Sequence, residues 1–180
     1  AYCSTCDAPL FGGMDVVVVG GGNSGLEAVL DLVPYAKTVH LFVRRGELRG
    51  DQVTQEKVAR EHAVIFHYNT EVEEIKGTQT VTSVAWKNSA TGGSGELPVQ
   101  GVFVEIGSVP NTDFVKDLVA LNALGEIKIN HRTGETSLSG FFAAGDVTDE
   151  PYKQNNISAG NGVAAALSAY AYIKHVYAGA

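Results

Sequence analysis

Apolar residues in the first third of the chain fall into alternating strand-like and helix-like segments. Residues 15–19 end in four consecutive valines, a run typical of a strand buried on both faces in a parallel sheet. Residues 26–32 carry apolar side chains at helical spacing and stop before Pro34, and a second strand-like run follows at residues 38–43. This order predicts two parallel strands joined by a crossover helix.

Further along, the pattern changes to short, strand-like segments. Residues 51–62 predict a charged helix with Asp51 as its N-terminal cap, and residues 64–66 predict a third strand. From residue 71 to residue 103 the sequence predicts an antiparallel meander on the sheet, with a glycine-rich turn inside it. The first twelve residues predict a loop or short turn.

The last part of the chain follows a cluster of Gly, Pro and Asn at residues 107–111, which is the best candidate boundary within the chain. Beyond it the pattern predicts a short helix at 113–118, a strand-like segment at 126–130 and a strand at 141–144. The last predicted element is a helix over residues 156–177, rich in Ala and Gly on one side.

A G-x-G-x-x-G motif stands between the first predicted strand and the first predicted helix. Gly20 allows the tight turn, Gly22 lets a pyrophosphate approach the backbone, and Gly25 lets helix and strand pack closely. The helix N-terminus adds free N–H groups and the positive end of a dipole. We predict a dinucleotide site here; the alternative is a tight turn without a ligand. Its residues are Gly20, Gly21, Gly22, Asn23, Ser24 and Gly25.

The end of the second predicted strand carries arginines instead of a carboxylate. An NAD site usually has Asp or Glu there to hold the ribose 2′-hydroxyl, but this chain has Val43 followed by Arg44, Arg45 and Arg49. Guanidinium groups bind phosphate oxygens as a fork, so the pattern favours NADP(H). A solvated basic loop is the alternative, and the negative charge of Glu47 weakens the case for a phosphate site.

Cys3 and Cys6 form a C-x-x-C motif beside this strand–helix–strand unit. In a cytosolic chain that spacing is typical of a redox dithiol, and Asp7 could exchange a proton with a departing thiolate. Zinc would need two more ligands besides the cysteines, so no metal is predicted. A pair of purely structural cysteines is the remaining alternative.

Composition narrows the class of protein by exclusion. The chain has 180 residues and a formal net charge of −7, which argues against nucleic acid or an anionic membrane as the main partner. No signal peptide and no apolar run long enough to span a membrane is visible in the sequence. With only two cysteines, a cytoplasmic protein is the default expectation.

A second ligand site is predicted where the strand at residues 141–144 ends in Gly145-Asp146. A carboxylate at a strand C-terminus lies where open α/β sheets bind ligands. Lys153-Gln154-Asn155 and the start of the last helix follow. The residues alone do not identify this ligand.

Taken in order, these motifs resemble low-molecular-weight thioredoxin reductase and the flavoprotein component of alkyl hydroperoxide reductase. The matching stretches are residues 2–11, 20–28, 106–112 and 142–154. A C-x-x-C-D directly ahead of the nucleotide fingerprint is specific, since most other flavoprotein disulfide reductases carry their cysteines in the flavin domain.

The resemblance implies an α/β fold in two parts. Residues 1–105 would be a Rossmann-like NADP(H)-binding domain, with a parallel sheet and an antiparallel meander, that carries the C-x-x-C. Residues 106–180 would be the C-terminal segment of an FAD-binding α/β domain. Because the family's FAD half has its own G-x-G-x-x-G and this chain has only one, we expect a fragment of a longer, homodimeric protein.

The resemblance also implies a reaction and its residues. NADPH would reduce FAD, the flavin would reduce the disulfide at Cys6, and Cys3 would attack thioredoxin or a thioredoxin-like protein disulfide, with Asp7 as the acid. The cofactor contacts that the family implies in the second part are Gly107, Gly145, Asp146, Gln154 and Asn155. The alternatives are a non-catalytic NADP(H)-binding module and an NADH-using peroxiredoxin reductase, whose relatives carry an acidic residue at the position of Val43.

Overall fold

The computed structural model describes residues 1–177, and for Tyr177 the backbone alone. The end of the predicted second domain, residues 178–180, lies outside the described residues. The chain divides into two compact units, Ala1–Gly107 and Ser108–Ala180. The elements in chain order are α1 (Ser4–Asp7), a 3₁₀ helix (Ala8–Phe11), β1 (Asp15–Val19), α2 (Asn23–Leu32), β2 (Thr38–Val43), α3 (Gln52–Ala59), β3 (Val64–Tyr68), β4 (Thr70–Gly77), β5 (Val81–Asn88), β6 (Ser94–Pro98), β7 (Gly101–Val104) and α4 (Asn155–Tyr177).

A four-stranded parallel sheet of order β3-β2-β1-β7 forms the centre of the first unit. The valine run of β1 is buried on both faces, as the unbroken apolar pattern predicts. Val16 and Val18 pack with Leu26 and other side chains of α2, while Val17 belongs to the core on the opposite face. The predicted strand–helix–strand unit is confirmed, and Asp51 caps α3 by accepting a hydrogen bond from the Thr54 N–H at 2.9 Å.

The predicted meander is a separate three-stranded antiparallel sheet of order β4-β5-β6. Val84 of β5 joins the core on the second face of the parallel sheet, with Val17, Phe42 and Val102. The prediction was wrong about the end of this stretch, because β7 pairs in parallel with β1 instead of continuing the meander. Pairing partners are decided by contacts far apart in sequence, which a local pattern does not contain.

Residues 4–11 are helical, so the predicted loop or short turn was wrong for them. Cys3 caps the one-turn helix α1, and its sulfur accepts a hydrogen bond from the Cys6 N–H at 3.2 Å. Pro9 stands at the start of the 3₁₀ helix that follows, where its missing N–H costs nothing. A sulfur atom acting as cap is not part of the usual helix-start signal.

The second unit is built from turns and one long helix. Between residues 108 and 154 the described backbone forms turns and single bridge pairs, so the predicted helix at 113–118 and the strands at 126–130 and 141–144 were wrong. The strand-like segments pair through single residues, such as Ile127 with Thr148, so no continuous ladder forms there. Val115, Val119 and Ile127 form the core of this unit. No helix within residues 1–177 is long and apolar enough to cross a membrane.

Candidate functional site

The glycine-rich turn lies at the carboxyl end of β1, and two of its glycines are required by the backbone. Gly20 has φ +138°, and a Cβ there would overlap the main chain of Glu105. A Cβ at Gly25 would overlap the main chain of Gly20, so Gly25 provides the close helix–strand packing expected of it. Gly20 and Gly25 therefore allow the turn to form, while a Cβ at Gly22 would meet open space.

Helix α2 begins at Asn23 and opens toward this turn. Its cap, Gly22, has no side chain that could bond the first N–H groups of the helix. Those N–H groups and the positive end of the helix dipole make the start of α2 suited to an anion. The backbone at this turn therefore leaves room and free N–H groups for an anion such as a pyrophosphate.

A cleft of about 590 Å³ lies beside the turn, within the first unit. Nine of the predicted cofactor residues line it, and Gly25 packs behind it. The nine are Gly20, Gly21, Gly22, Asn23, Ser24, Arg44, Arg45, Arg49 and Gly107. Sequence reasoning missed the residues contributed by β4 and by the end of β7, which include Thr70, Glu71, Val72, Glu105 and Ile106.

The arginine-bearing loop is fastened to the glycine turn by two hydrogen bonds. The backbone N–H of Arg49 donates to the carbonyl of Gly21 at 2.7 Å. The backbone N–H of Asp51 donates to Asn23 Oδ1 at 2.7 Å. The Asn23 side-chain carbonyl therefore holds the loop against the glycine turn, and residues of both line the cleft.

The charges in the cleft are mixed. Arg44 Nε lies 3.9 Å from Glu71 Oε1, with both side chains largely exposed, so Arg44 is partly neutralised by the protein itself. Glu105 is half-buried directly after β7, and burial raises the pKa of its carboxyl. The N-terminal ammonium group opposes this shift, and the charge of Asp31 adds to it. Glu105 directly follows a strand that ends beside β1, and the carboxyl ends of parallel strands are where ligands bind. That position is the signal that could have identified Glu105 as a residue of the cleft.

The two cysteines and the residues between them (residues 3–6, called the dithiol turn below) lie at the start of the same unit. Cys3 and Cys6 are joined by a disulfide with their Cα atoms 5.3 Å apart. Cys6 is exposed, Cys3 and Asp7 are half-buried, and the Asp7 N–H donates to the Cys3 carbonyl at 3.1 Å. Within residues 1–177, no group of three or more His, Cys, Asp and Glu side chains could hold a metal ion.

The predicted cofactor residues of the second unit lie around the start of α4. Gly145 has φ +81°, and Asp146 Oδ1 accepts a hydrogen bond from Ser158 Oγ at 2.9 Å, which ties this turn to the helix. Asn155 is the first residue of α4, and the carbonyl of Gln154 accepts the Ser158 N–H at 2.8 Å. Hydrogen bonds from Ser158 therefore hold both Asp146 and Gln154 at the first turn of α4.

Lys153, directly before these residues, is tightly held inside the second unit. Its ammonium group lies 2.8 Å from Glu126 Oε1 and donates to the carbonyl of Thr148 at 2.5 Å. The hydrogen bond from Lys153, followed by one from Asn122, lowers the pKa of Glu126. The ion pair of Lys153 with Glu126 therefore holds in place the residues directly before α4.

Comparison with known proteins gives a consistent set of relatives. The model of the family described as pyridine nucleotide-disulphide oxidoreductase matches residues 1–169. The chain is 44% identical over 173 residues to the F subunit of alkyl hydroperoxide reductase from Staphylococcus epidermidis, covering 96% of this chain and 34% of that protein. It is 43% identical, with the same coverage, to a Bacillus subtilis protein named NADH dehydrogenase. The chain therefore spans about a third of the length of these relatives.

Solved structures with the same fold include thioredoxin reductases. The enzyme from Streptococcus pyogenes superposes with a TM-score of 0.87 at 34% identity, covering 97% of this chain and 57% of that chain. The enzyme from Giardia duodenalis superposes with a TM-score of 0.80 at 35% identity, over 96% and 57% of the two chains. The parallel sheet with an added antiparallel sheet is thus the fold of this group.

Proposed function

The chain belongs to the pyridine nucleotide-disulphide oxidoreductase family, and from that premise we propose that it binds NADPH and passes electrons through Cys3 and Cys6 to a protein disulfide. The observation that carries the proposal is that one helix, α2, links both sites. Its first turn lines the nucleotide cleft, and its Asp31 holds the residues between the cysteines. The reaction type is a flavin-dependent disulfide reduction of the thioredoxin reductase kind.

The cleft fits NADPH on two grounds. The glycine turn leaves its backbone open where Gly22 lacks a side chain, so a pyrophosphate can reach the first N–H groups of α2. Arg45 and Arg49 line the cleft on the loop after β2, where a 2′-phosphate would lie in a dinucleotide fold. Arg49 is held close to the turn by its own backbone bond to Gly21.

The residues proposed to contact FAD are Gly145, Asp146, Gln154 and Asn155. Their fixed arrangement around the first turn of α4 suits a ligand bound at that helix start, since Asp146 is already oriented by Ser158. When bound, the two cofactors supply the hydride and its onward transfer as an electron pair. The chain's own contribution is to bind them and to hold the dithiol.

In the proposed chemistry, the cysteines divide the work. Cys3 attacks one sulfur of the acceptor disulfide as a thiolate, and Cys6 then attacks Cys3 to release the acceptor and close the disulfide. Asp7, directly after Cys6, moves the proton of a departing sulfur. We propose thioredoxin or a thioredoxin-like domain as the acceptor and a homodimer in the cytoplasm as the working form.

A second candidate is an NADH-using reductase of a peroxiredoxin. Two observations favour it: Glu71 partly neutralises Arg44, and the relatives include the alkyl hydroperoxide reductase protein and the protein named NADH dehydrogenase. Against it, the end of β2 carries Val43 and not a carboxylate that could hold a ribose 2′-hydroxyl.

Calorimetric titration of the chain with NADPH and NADH tests the proposal. We expect NADPH to bind more tightly than NADH by about tenfold, the size of one charge-assisted contact. Tighter binding of NADH would move the assignment to the peroxiredoxin reductase. Failure to bind either nucleotide would contradict both.

A further inference from the structure

Two hydroxyl groups between the cysteines converge on a single carboxylate oxygen. Ser4 Oγ donates to Asp31 Oδ2 at 2.8 Å, and Thr5 Oγ1 donates to the same oxygen at 3.1 Å. Ser4 is only 8% exposed, so its hydroxyl has exchanged water for this carboxylate. The peptide that separates Cys3 from Cys6 is therefore fastened by its side chains as well as by its backbone.

Asp31 is a firm point of attachment because of the helix that carries it. It lies in the last turn of α2, and its neighbours Val29 and Leu32 are fully buried in the core of the first unit. The helix α1, which carries the hydroxyl groups of Ser4 and Thr5, has only four residues, and a single helical turn has little stability of its own. The helix α2 therefore fixes the dithiol turn, and not the reverse.

We propose that Asp31 is a positioning residue for the Cys3–Cys6 couple, which keeps the turn closed and makes the dithiol a stronger reductant. Reduction breaks the S–S bond, and the two sulfur atoms must then move apart to a non-bonded distance. Both hydrogen bonds to Asp31 are made in the disulfide form that the structure shows, so a change of the turn on reduction would weaken them, and they favour the disulfide. The inference rests on the proposed function only in that the couple must cycle between its two states.

The charge of Asp31 acts in the same direction as its hydrogen bonds. A carboxylate disfavours a neighbouring thiolate; Asp31 bonds Ser4 and Thr5 between the cysteines, and Asp7 directly follows Cys6. At a pH above the thiol pKa, this charge destabilises the thiolate form of the reduced turn and leaves the uncharged disulfide unaffected. In that pH range it adds to the effect of the hydrogen bonds.

Atoms and electrons balance in the exchange step. The Cys3 thiolate forms a bond to one acceptor sulfur, the acceptor S–S bond breaks, and the other acceptor sulfur leaves as a thiolate that takes up a proton. Cys6 loses its proton and attacks the Cys3 sulfur, which releases the second acceptor thiol. Two protein thiols are oxidised to a disulfide, and the acceptor disulfide is reduced to two thiols.

The test is the dithiol–disulfide equilibrium of the 180-residue chain in glutathione redox buffers, without nucleotide or flavin. Asp31→Ala and the double variant Ser4→Ala/Thr5→Val should each shift the equilibrium toward the dithiol by about tenfold, which corresponds to about 30 mV for two electrons. Asp31→Asn keeps an oxygen acceptor and removes the charge. It should give a smaller shift together with a lower thiol pKa, measured by thiolate absorbance.

Glu27→Gln is the matched control, because Glu27 is an exposed carboxylate one turn earlier on the same helix. It should leave the equilibrium unchanged, and all variants should keep the nucleotide affinity, since Asp31 does not line the cleft. The proposal is overturned if Asp31→Ala and the double variant both stay within about twofold of the unmodified chain, or if Glu27→Gln shifts the equilibrium equally. Because no cofactor is present, a failure of the proposed function leaves this measurement valid.

Discussion

At Gly20 the backbone has φ +138°, and an added Cβ would overlap the main chain of Glu105. Gly22, two residues on, has open space around the position of its missing Cβ. The two glycines of one motif therefore have separable roles. Gly20 is needed for the fold of the turn, and we propose that Gly22 is needed for the approach of the nucleotide.

Gly20→Ala should lower the free energy of unfolding by about 1–3 kcal/mol, because it adds both backbone strain and steric overlap. Gly22→Ala should cost less than about 1 kcal/mol while weakening NADPH binding, since its Cβ would occupy the path of a pyrophosphate. Urea unfolding and calorimetry measure the two effects. Equal stability losses in both variants would contradict this division.

Arg45→Ala should weaken NADPH binding by about tenfold and leave NADH binding nearly unchanged, because Arg45 lines the cleft where a 2′-phosphate is expected. Calorimetric titration with both nucleotides gives the ratio. Arg60→Ala is the control, since Arg60 is an exposed arginine at the end of α3. A parallel loss of affinity for both nucleotides would show that Arg45 contacts a part that they share.

At the scale of elements, the sequence predicted what local contacts determine. The valine run of β1, the helix α2 and the cap of α3 follow from adjacent residues, and the structure confirms them. The partner of β7, the sulfur cap of α1 and the missing ladders near Ile127 depend on distant contacts or unusual donors. The same distinction applies to the cleft, where Arg49 was predicted from the motif and Glu105 was not, because only the folded sheet brings β7 beside β1.

A histidine pair links β2 and β3 and should make stability depend on pH. His40 Nδ1 and His67 Nε2 lie 3.0 Å apart, and burial lowers the pKa of both imidazoles. The negative charge of Asp15 opposes the shift at His40, while the charge of His40 lowers the pKa of His67 further. The unfolded chain therefore binds protons more readily than the folded chain. The contribution of these two imidazoles to the free energy of unfolding is complete above the unfolded pKa of about 6.5 and is lost as the pH falls below it.

Urea unfolding on both sides of that pKa should show a lower free energy of unfolding on the acidic side. His67→Phe should reduce this difference, because it removes one of the two imidazoles whose pKa is lowered by burial. His62→Gln, at an exposed histidine before β3, should keep it. A pH dependence that survives His67→Phe unchanged would mean that other groups cause it.

At the scale of the whole molecule, the chain combines a proposed nucleotide cleft and the Cys3–Cys6 disulfide in its first unit with the proposed FAD contacts in its second. It spans about a third of the length of the curated relatives, so the complete activity is proposed from these parts. The family is established by the match over residues 1–169.

The central claim is that Cys3 and Cys6 pass electrons to a protein disulfide. The most direct measurement mixes the reduced Cys6→Ser chain with oxidised thioredoxin, blocks the released thioredoxin thiol with an alkylating agent and detects the mixed disulfide by mass spectrometry. We expect an adduct through Cys3, because a serine hydroxyl in place of the Cys6 thiol cannot resolve it and the alkylated thioredoxin thiol cannot reverse it. The Cys3→Ser chain should form little adduct, since Cys6 is not the proposed attacking group. Absence of an adduct with Cys6→Ser would contradict the account and leave a nucleotide-binding module without this chemistry.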